Sequence, residues 1–362
     1  MSTRKTDRLA ASPPSGTSLR PGSQSRGGAR RSSLFVRAAL RPETSAAIGV
    51  VVVFAYFGVT AGGSGFLTTA STQSYLQVAS LIGILTCAVA LLMIAGEFDL
   101  SVGSMTGAGG IAVAYPVVYH GWPLWLALLL GFAIACGVGL LQGVVIMKTR
   151  LPSFIVTLAG LFVIAGLTLA ITKLLTNATT VDGIEAAAKG DPILPLLSGS
   201  VDGVPASVIW WLGLTLLAMY VLNRTRFGNW MYACGGDAES ARRSGVPVSR
   251  VKVLLFVGTA LAATFVGVLS IFTIDSASVT TGTGYEFQTI TAAVIGGTLL
   301  TGGFGSPIGA ALGALIFGMV NQGFFFTDIE GNWFQVFLGA MLLIAVLVNH
   351  YARLYALRRG AS

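Results

Sequence analysis

Charge is scarce in this sequence. Lys, Arg, Asp and Glu make up 10% of its 362 residues, against about a quarter in soluble domains, which excludes a water-soluble globular chain. Cysteine and histidine are scarcer still. Cys87, Cys136 and Cys234 lie far apart, as do His120 and His350, and no pair has the spacing of a metal site, redox motif or disulfide framework. No metal, cofactor or disulfide is expected. A phosphate-binding loop of the form Gly-x-x-x-x-Gly-Lys-Ser/Thr is missing too. The nearest stretch, GVVIMKT at Gly143–Thr149, lacks the glycine before Lys148 and lies in an apolar run. GGFGSPIG at Gly302–Gly309 fits neither that pattern nor Gly-x-Gly-x-x-Gly and reads as a tight break. No catalytic residue set is found, so the chain is not read as an enzyme.

What is plentiful is apolar surface and glycine: 54% hydrophobic residues and 47 glycines. Long apolar runs of the length that spans a bilayer, about 20 residues, recur from Ala46 to Asn349. Glycine suits helices that pack closely in lipid. The fold class is therefore all-α, a polytopic membrane protein of about ten transmembrane helices. The expected spans are Ala46–Ala61, Tyr75–Ala95, Ser101–Tyr119, Leu124–Met147, Ser153–Leu175, Ser207–Leu222, Val253–Ile274, Phe287–Leu300, Ile308–Phe325 and Trp333–Asn349.

The net charge of +8 does not point to nucleic acid, because the cations follow the loops. Nine Lys and Arg fall in residues 1–44, two at Lys148 and Arg150, six between Arg224 and Lys252, and three at Arg353, Arg358 and Arg359. Lys and Arg are retained on the cytoplasmic side, so both termini are expected in the cytoplasm. Trp122, Trp125, Trp210, Trp211 and Trp333 then fall near outer span ends, as an interfacial belt would. Residues 1–44, rich in Ser, Gly and Arg, read as a disordered basic cytoplasmic tail, although an organelle transit peptide shares that composition. Residues 45–352 are the membrane domain and 353–362 a cytoplasmic C-terminal tail. The outer loop Thr176–Ala206 carries Asp182, Glu185, Asp191 and Asp202; it reads equally as a solvated loop or as a docking face for an external protein.

Two segments stand out. The first is MIAGEFDLSVGSM, Met93–Met105, which places Glu97 and Asp99 in an apolar region with no evident basic partner. Ionisable residues within a membrane are costly and mark function or pairing. Asp99 is placed to cap the helix beginning near Ser101. The second is the loop 224–252. Asp237 is placed to cap a short helix over Ala238–Ser244, with Glu239, Ala241, Arg242 and Arg243 inside it, the two arginines at the negative end of its dipole. Gly245 fits the left-handed position after it and Pro247 ends it. So short a helix needs a surface to pack on.

The second segment resembles the cytoplasmic coupling segment of ribose/xylose-type (monosaccharide) ABC transporter permeases. Gly228, Tyr232, Ala233, Gly235, Gly236, Ala241, Ser244, Gly245 and Val248 fit that pattern, while Asn229 stands for the usual Arg and Asp237 for the usual Asn. AGEFDLSVGSM resembles the family's GGIDLSVGS stretch through Asp99–Ser104, with Glu97 at a usual glycine. A third signature fits at Gly284, Tyr285, Ile295, Gly296, Gly297, Gly302, Gly303, Gly305, Ser306, Gly309 and Asn321. The likeness runs from about Ala46 to Arg353.

The resemblance implies a permease subunit of an importer for a monosaccharide or related polyol in a bacterial inner membrane. It implies a second copy of the permease, cytoplasmic ATP-binding subunits and an extracytoplasmic sugar-binding protein, with no nucleic acid. Residues 238–245 would dock on the ATPase. Asp99, Ser101, Glu97, Gln288 and Asn321 are candidates for the solute path, with Gln77, Gln142 and Gln322 behind them, since carboxylates and amides accept sugar hydroxyls. Phe324, Phe325 and Phe326 would stack on a sugar or line an interface. The competing readings are a self-contained secondary transporter using Glu97 and Asp99, an ABC permease for a non-sugar solute such as branched-chain amino acids, and a non-transporting scaffold.

Overall fold

The computed structural model describes residues 42–327 and 333–360, with side chains for 43–327 and 333–347. Most of the expected basic tail, residues 1–41, lies outside the described residues, as do Ala361 and Ser362. The helices are α1 Pro42–Thr60, α2 Thr69–Ile94, α3 Val102–His120, α4 Leu124–Thr149, α5 Ser153–Thr176, α6 Ile184–Ala187, α7 Leu194–Ser198, α8 Ala206–Arg224, α9 Arg226–Gly236, α10 Ala238–Arg243, α11 Val248–Ile274, α12 Tyr285–Ile295, α13 Pro307–Phe325 and α14 Phe334–Gly360. Four short strands accompany them: β1 Thr180–Asp182, β2 Ser200–Val201, β3 Val204–Pro205 and β4 Ser276–Ser278.

Among the described residues seven helices are long and apolar enough to cross a membrane: α1, α2, α4, α5, α8, α11 and α13. A helix stands at each of the other three expected spans, but each differs from that length-and-hydropathy rule in its own way. Near the C-terminus, α14 has an apolar part, Phe334–Leu347, that is short, and its backbone runs on through the expected tail to Gly360. The Gly- and Thr-bearing α3 is buried along much of its length, so its surroundings are protein more than lipid. At the expected eighth span, Phe287–Leu300, the structure has instead α12, which starts earlier, at Tyr285, and has 11 residues. At 1.5 Å per residue it rises about 16 Å, half of a bilayer's hydrocarbon core. Glycines explain why it stops. Gly297, Gly302 and Gly303 all take positive φ, a backbone region that costs glycine nothing.

Close packing builds the centre. A Cβ at Gly109 would crowd Thr264, and one at Gly267 would overlap the backbone at Thr106, so α3 and α11 meet backbone to backbone. The same device brings α4 onto α11 at Gly139 and Gly143, and α13 onto α2 at Gly318. In lipid this contact is a main source of helix association. Trp211, expected at the interface, is buried against Gly83 instead.

The loop between α5 and α8 is more structured than its composition suggests. β1 pairs antiparallel with β4, Thr180 opposite Ser278 and Asp182 opposite Ser276, and β2 with β3. Two of its acids are committed to local structure. Asp191 accepts from Leu124 N–H at 2.9 Å and so caps α4 across the loop, and Asp182 accepts from the Ser276 hydroxyl at 2.6 Å.

Candidate functional site

Between α2 and α3 the N–H groups of Gly96 and Glu97 still reach back to Met93 O and Leu92 O, but those of Phe98 and Leu100 take their partners from a neighbouring helix. Phe98 N–H donates to Ser153 Oγ and Leu100 N–H to Thr157 Oγ1, each at 3.1 Å. Both hydroxyls come from the first turns of α5. Gly96 has φ +83°, which turns the chain out of α2.

Asp99 is buried, 1% exposed. Its Oδ1 accepts from Ser101 N–H at 2.9 Å and from Ser101 Oγ at 2.6 Å. Its Oδ2 accepts from Thr259 Oγ1 at 2.6 Å. Thr259 lies about 16 Å along α11 from Val248 and about 22 Å from its other end, so this carboxylate sits near mid-bundle. Ser101 Oγ also stands 3.2 Å from the Gln142 amide. A hydroxyl has one proton to give; with it given to Asp99, the polarity that suits is a Gln142 N–H facing Ser101.

Glu97 has a cation after all. Lys252 Nζ donates to Glu97 Oε1 at 2.5 Å, with both side chains mostly buried. Lys252 was expected in the cytoplasmic loop; it is part of α11 and turns back toward the interruption. The two groups are 155 residues apart in sequence, which hides the pair from any local reading.

A third carboxylate lies nearby. Glu286, in the first turn of α12, is 6% exposed, and its Oε2 has no hydrogen-bond partner. It presses on α3, where a Cβ at Gly103 would overlap that oxygen.

The segment 224–252 is not one short helix in a loop but two helices, and the first was not expected. Thr225 caps α9, its Oγ1 accepting from Gly228 N–H at 3.3 Å, and Phe227, Met231 and Cys234 turn inward. The C-terminal end of α9 locks onto two interruptions together. A Cβ at Gly235 would overlap Ile94 O, the same oxygen that accepts from Gly303 N–H at 2.9 Å, and Tyr232 OH donates to Gly305 O at 3.1 Å. Beyond it, Asp237 Oδ1 accepts from the N–H groups of Glu239 and Ser240 at 2.9 and 3.0 Å and opens α10. The Ser240 N–H, then the Ser240 hydroxyl and the Glu239 N–H, hold the Asp237 carboxyl below its ordinary value. Ala241 alone of α10 is buried. Glu239, Arg242 and Arg243 form exposed ion pairs at 3.2 and 3.3 Å, Gly245 has φ +86°, and α11 begins after Pro247.

The chain matches, over residues 71–346, the family described as the branched-chain amino acid transport system / permease component. It belongs to that family. The permease is 31% identical to the xylose transport system permease protein XylH of Escherichia coli K12, over 83% of this chain and 89% of that protein. It is 32% identical to the ribose import permease protein RbsC of the same strain, over 79% and 87%. It is 33% identical to the probable ABC transporter permease protein YphD, also of that strain, over 83% and 89%. No solved structure matches it.

Of the solute-path candidates, the permease gathers Asp99, Ser101 and Gln142 into one cluster, and places Glu97 on a cation. Gln288 stands half-buried in the first turn of α12, beside Glu286. Asn321 and Gln322 lie elsewhere. Their stretch of α13 begins beyond Gly318, which faces Tyr75 and Ala79 near the start of α2, the end away from Gly96. Gln77 is at that end too, donating to Thr273 Oγ1 at 3.2 Å. Phe324 stacks edge-on with Phe334 and Phe337, and Phe326 with Phe66, so these rings are packing. Sequence reasoning missed Lys252, Thr259 and Glu286. For Glu286 a signal existed: an acid two residues after Gly284, opening an apolar run with no base in reach.

Proposed function

We propose that this permease is the membrane-spanning subunit of an ATP-binding-cassette importer, carrying a monosaccharide of the ribose/xylose kind or a related polyol across a bacterial inner membrane. Its ten spans leave both termini in the cytoplasm. It works as a pair of permease copies with separate cytoplasmic ATP-binding subunits and an extracytoplasmic sugar-binding protein. The similarity to permeases named for xylose and ribose, over about four-fifths of the chain, supports the solute class.

One observation carries the coupling part of the reading: α10 is capped at both ends, buries a single side chain, Ala241, and exposes its charged face. A six-residue helix gains nothing from propensity alone; its ordered caps suit a docking surface for the ATPase, with Asp237, Ala238, Glu239, Ala241, Arg242, Ser244 and Gly245 at the contact. From there α9 leads back to Ile94 and Gly303, so a push on α10 reaches both helix interruptions through packed backbone. The inner cluster of Asp99 and Ser101 marks where the solute path narrows.

Reconstitution in liposomes tests this. Uptake of a pentose is expected only with the ATP-binding subunits, the binding protein and ATP all present. Ala241→Glu, which forces a charge into a buried position, is expected to leave the permease inserted but to uncouple ATP hydrolysis from uptake. Pentose uptake driven by a proton or sodium gradient without ATP contradicts the assignment.

A further inference from the structure

The two buried carboxylates near α3 differ in what they have left to offer. Asp99 takes three donors, from Ser101 N–H, Ser101 Oγ and Thr259 Oγ1. Glu286, by contrast, has its Oε2 enclosed and unpartnered. None of the three ion pairs among the described residues includes it. An acceptor withheld from water without a donor is costly, and an ionisable group inside a membrane protein without a partner marks a pathway.

The walls around Glu286 offer acceptors to a hydroxyl-bearing ligand; they are in contact with one another here, so a ligand enters only as they part. One is the first turns of α3, where Gly103 and Gly107 carry no side chain. The other is the segment from Ser278 to Gly284, whose carbonyls at Ser278, Val279 and Thr281 lie along Gly107 and whose Ser278 and Thr280 hydroxyls meet at 2.9 Å. Gly103 cannot be larger, because any Cβ would overlap Glu286 Oε2. Gly103 is four residues beyond Asp99, so both carboxylates flank the start of one helix, and only one of them is unspent.

We propose that Glu286, rather than Asp99, is the carboxylate that accepts hydroxyl donors from the solute, between the first turn of α3 and the half-span α12. This rests on the monosaccharide reading above for the class of solute.

The test uses the permease reconstituted with its ATP-binding subunits and binding protein, at sugar concentrations that saturate the binding protein. Uptake of xylose, ribose and their single-deoxy analogues is compared for wild type, Glu286→Gln and Glu286→Ala, with ATP hydrolysis and membrane protein level measured alongside. Losing one hydrogen bond to a charged partner is expected to cost about 10- to 100-fold in uptake. For one deoxy analogue the loss is expected not to compound: wild type is slowed by removal of that hydroxyl, whereas Glu286→Gln carries parent and analogue alike. Glu286→Gln that carries every sugar at the wild-type rate and ranking overturns the proposal, with pentose import by wild type leaving the importer reading intact. An equal loss for all analogues, together with lost ATP hydrolysis, also overturns it, because that is a brace between α12 and α3. If wild type imports leucine and no sugar, the monosaccharide reading falls and the hydroxyl contact with it, whereas pentose import with an unaffected Glu286→Gln overturns the contact alone.

Discussion

Glu97 and Asp99 sit two residues apart in one interruption and are neutralised by different means. Glu97 meets a full cation, Lys252, at the end of the bundle where α11 begins. Asp99, near mid-bundle, meets hydroxyls and an N–H group and no cation. The difference follows depth. A lysine reaches this end of the bundle on a flexible stem, and about a tenth of its side chain stays exposed there. Farther in, the desolvation of a second ion would add to that of the first, whereas Ser and Thr hydroxyls bring dipoles without charge. The structure therefore holds one acid by charge and the other by fixed donors.

The largest effect is expected from breaking the charge pair on one side only. Lys252→Met leaves Glu97 mostly buried and uncompensated, which costs about 3–5 kcal/mol. Glu97→Gln combined with Lys252→Met removes both charges and is expected to recover most of that. Thermal unfolding of the purified permease in detergent reads the difference. If the double variant melts as low as the single, the pair is not what stabilises this end. The same logic changes the expected effect of Glu97→Gly. Restoring the glycine that the resembling family carries would strand Lys252, so it is expected to destabilise the permease.

The helices themselves were legible, since a run of apolar residues in lipid has few alternatives to a helix. Their lengths were less so. Expecting a span from Phe287 to Leu300 placed Glu286 outside it and hid the one buried acid, among the described residues, with an unpartnered enclosed oxygen. The apolar rhythm of Phe227, Trp230, Met231 and Cys234 was present in RFGNWMYACGG, but two closing glycines and the flanking arginines drew the eye to a loop. The caps at Asp237 and Gly245 are local chemistry and could be read directly. Glu97–Lys252, Asp99–Thr259 and the contact of Gly235 with Ile94 join residues more than a hundred positions apart, and nothing in a single sequence signals which distant partner arrives.

A smaller effect is expected where the donors are neutral. Asp99→Ala removes the acceptor for Ser101 N–H. The two hydroxyls have other outlets: Thr259 to Phe256 O at 2.9 Å, and Ser101 to Gln142, 3.2 Å away, once the amide turns its oxygen toward the freed proton. The cost is therefore that of about one orphaned donor, roughly 1–3 kcal/mol, below that of the broken ion pair. Asp99→Asn keeps an oxygen for Ser101 N–H, and its amide donates to Thr259 while Thr259 gives its proton to Phe256, so it is expected to lie near wild type. The same melting measurement checks both. A loss for Asp99→Asn as large as that for Lys252→Met would mean that the charge on Asp99 matters as much as that on Glu97.

The smallest effect belongs to Asp237, which repeats the local geometry of Asp99 in water. Each carboxylate takes the N–H two residues on, at 2.9 Å, but Asp237 is exposed. Its carboxyl is held below the ordinary value, first by the Ser240 N–H. A depressed carboxylate stabilises the folded helix fully above its unfolded value, about 3.9, and loses that contribution as pH falls through the lower folded value. Between pH 7 and pH 5 the cap is therefore expected to be unchanged, and to weaken only below about pH 4. Amide exchange at Glu239 and Ser240 reads this directly, after correction for the intrinsic pH dependence of exchange. Asp237→Asn, which caps about as well, should remove the acid-induced loss without loosening α10 at neutral pH, and Asp237→Ala should speed exchange at every pH. Loss of protection in the wild type already at pH 6 would place the controlling group elsewhere, and would undo the parallel between the exposed cap and the buried one.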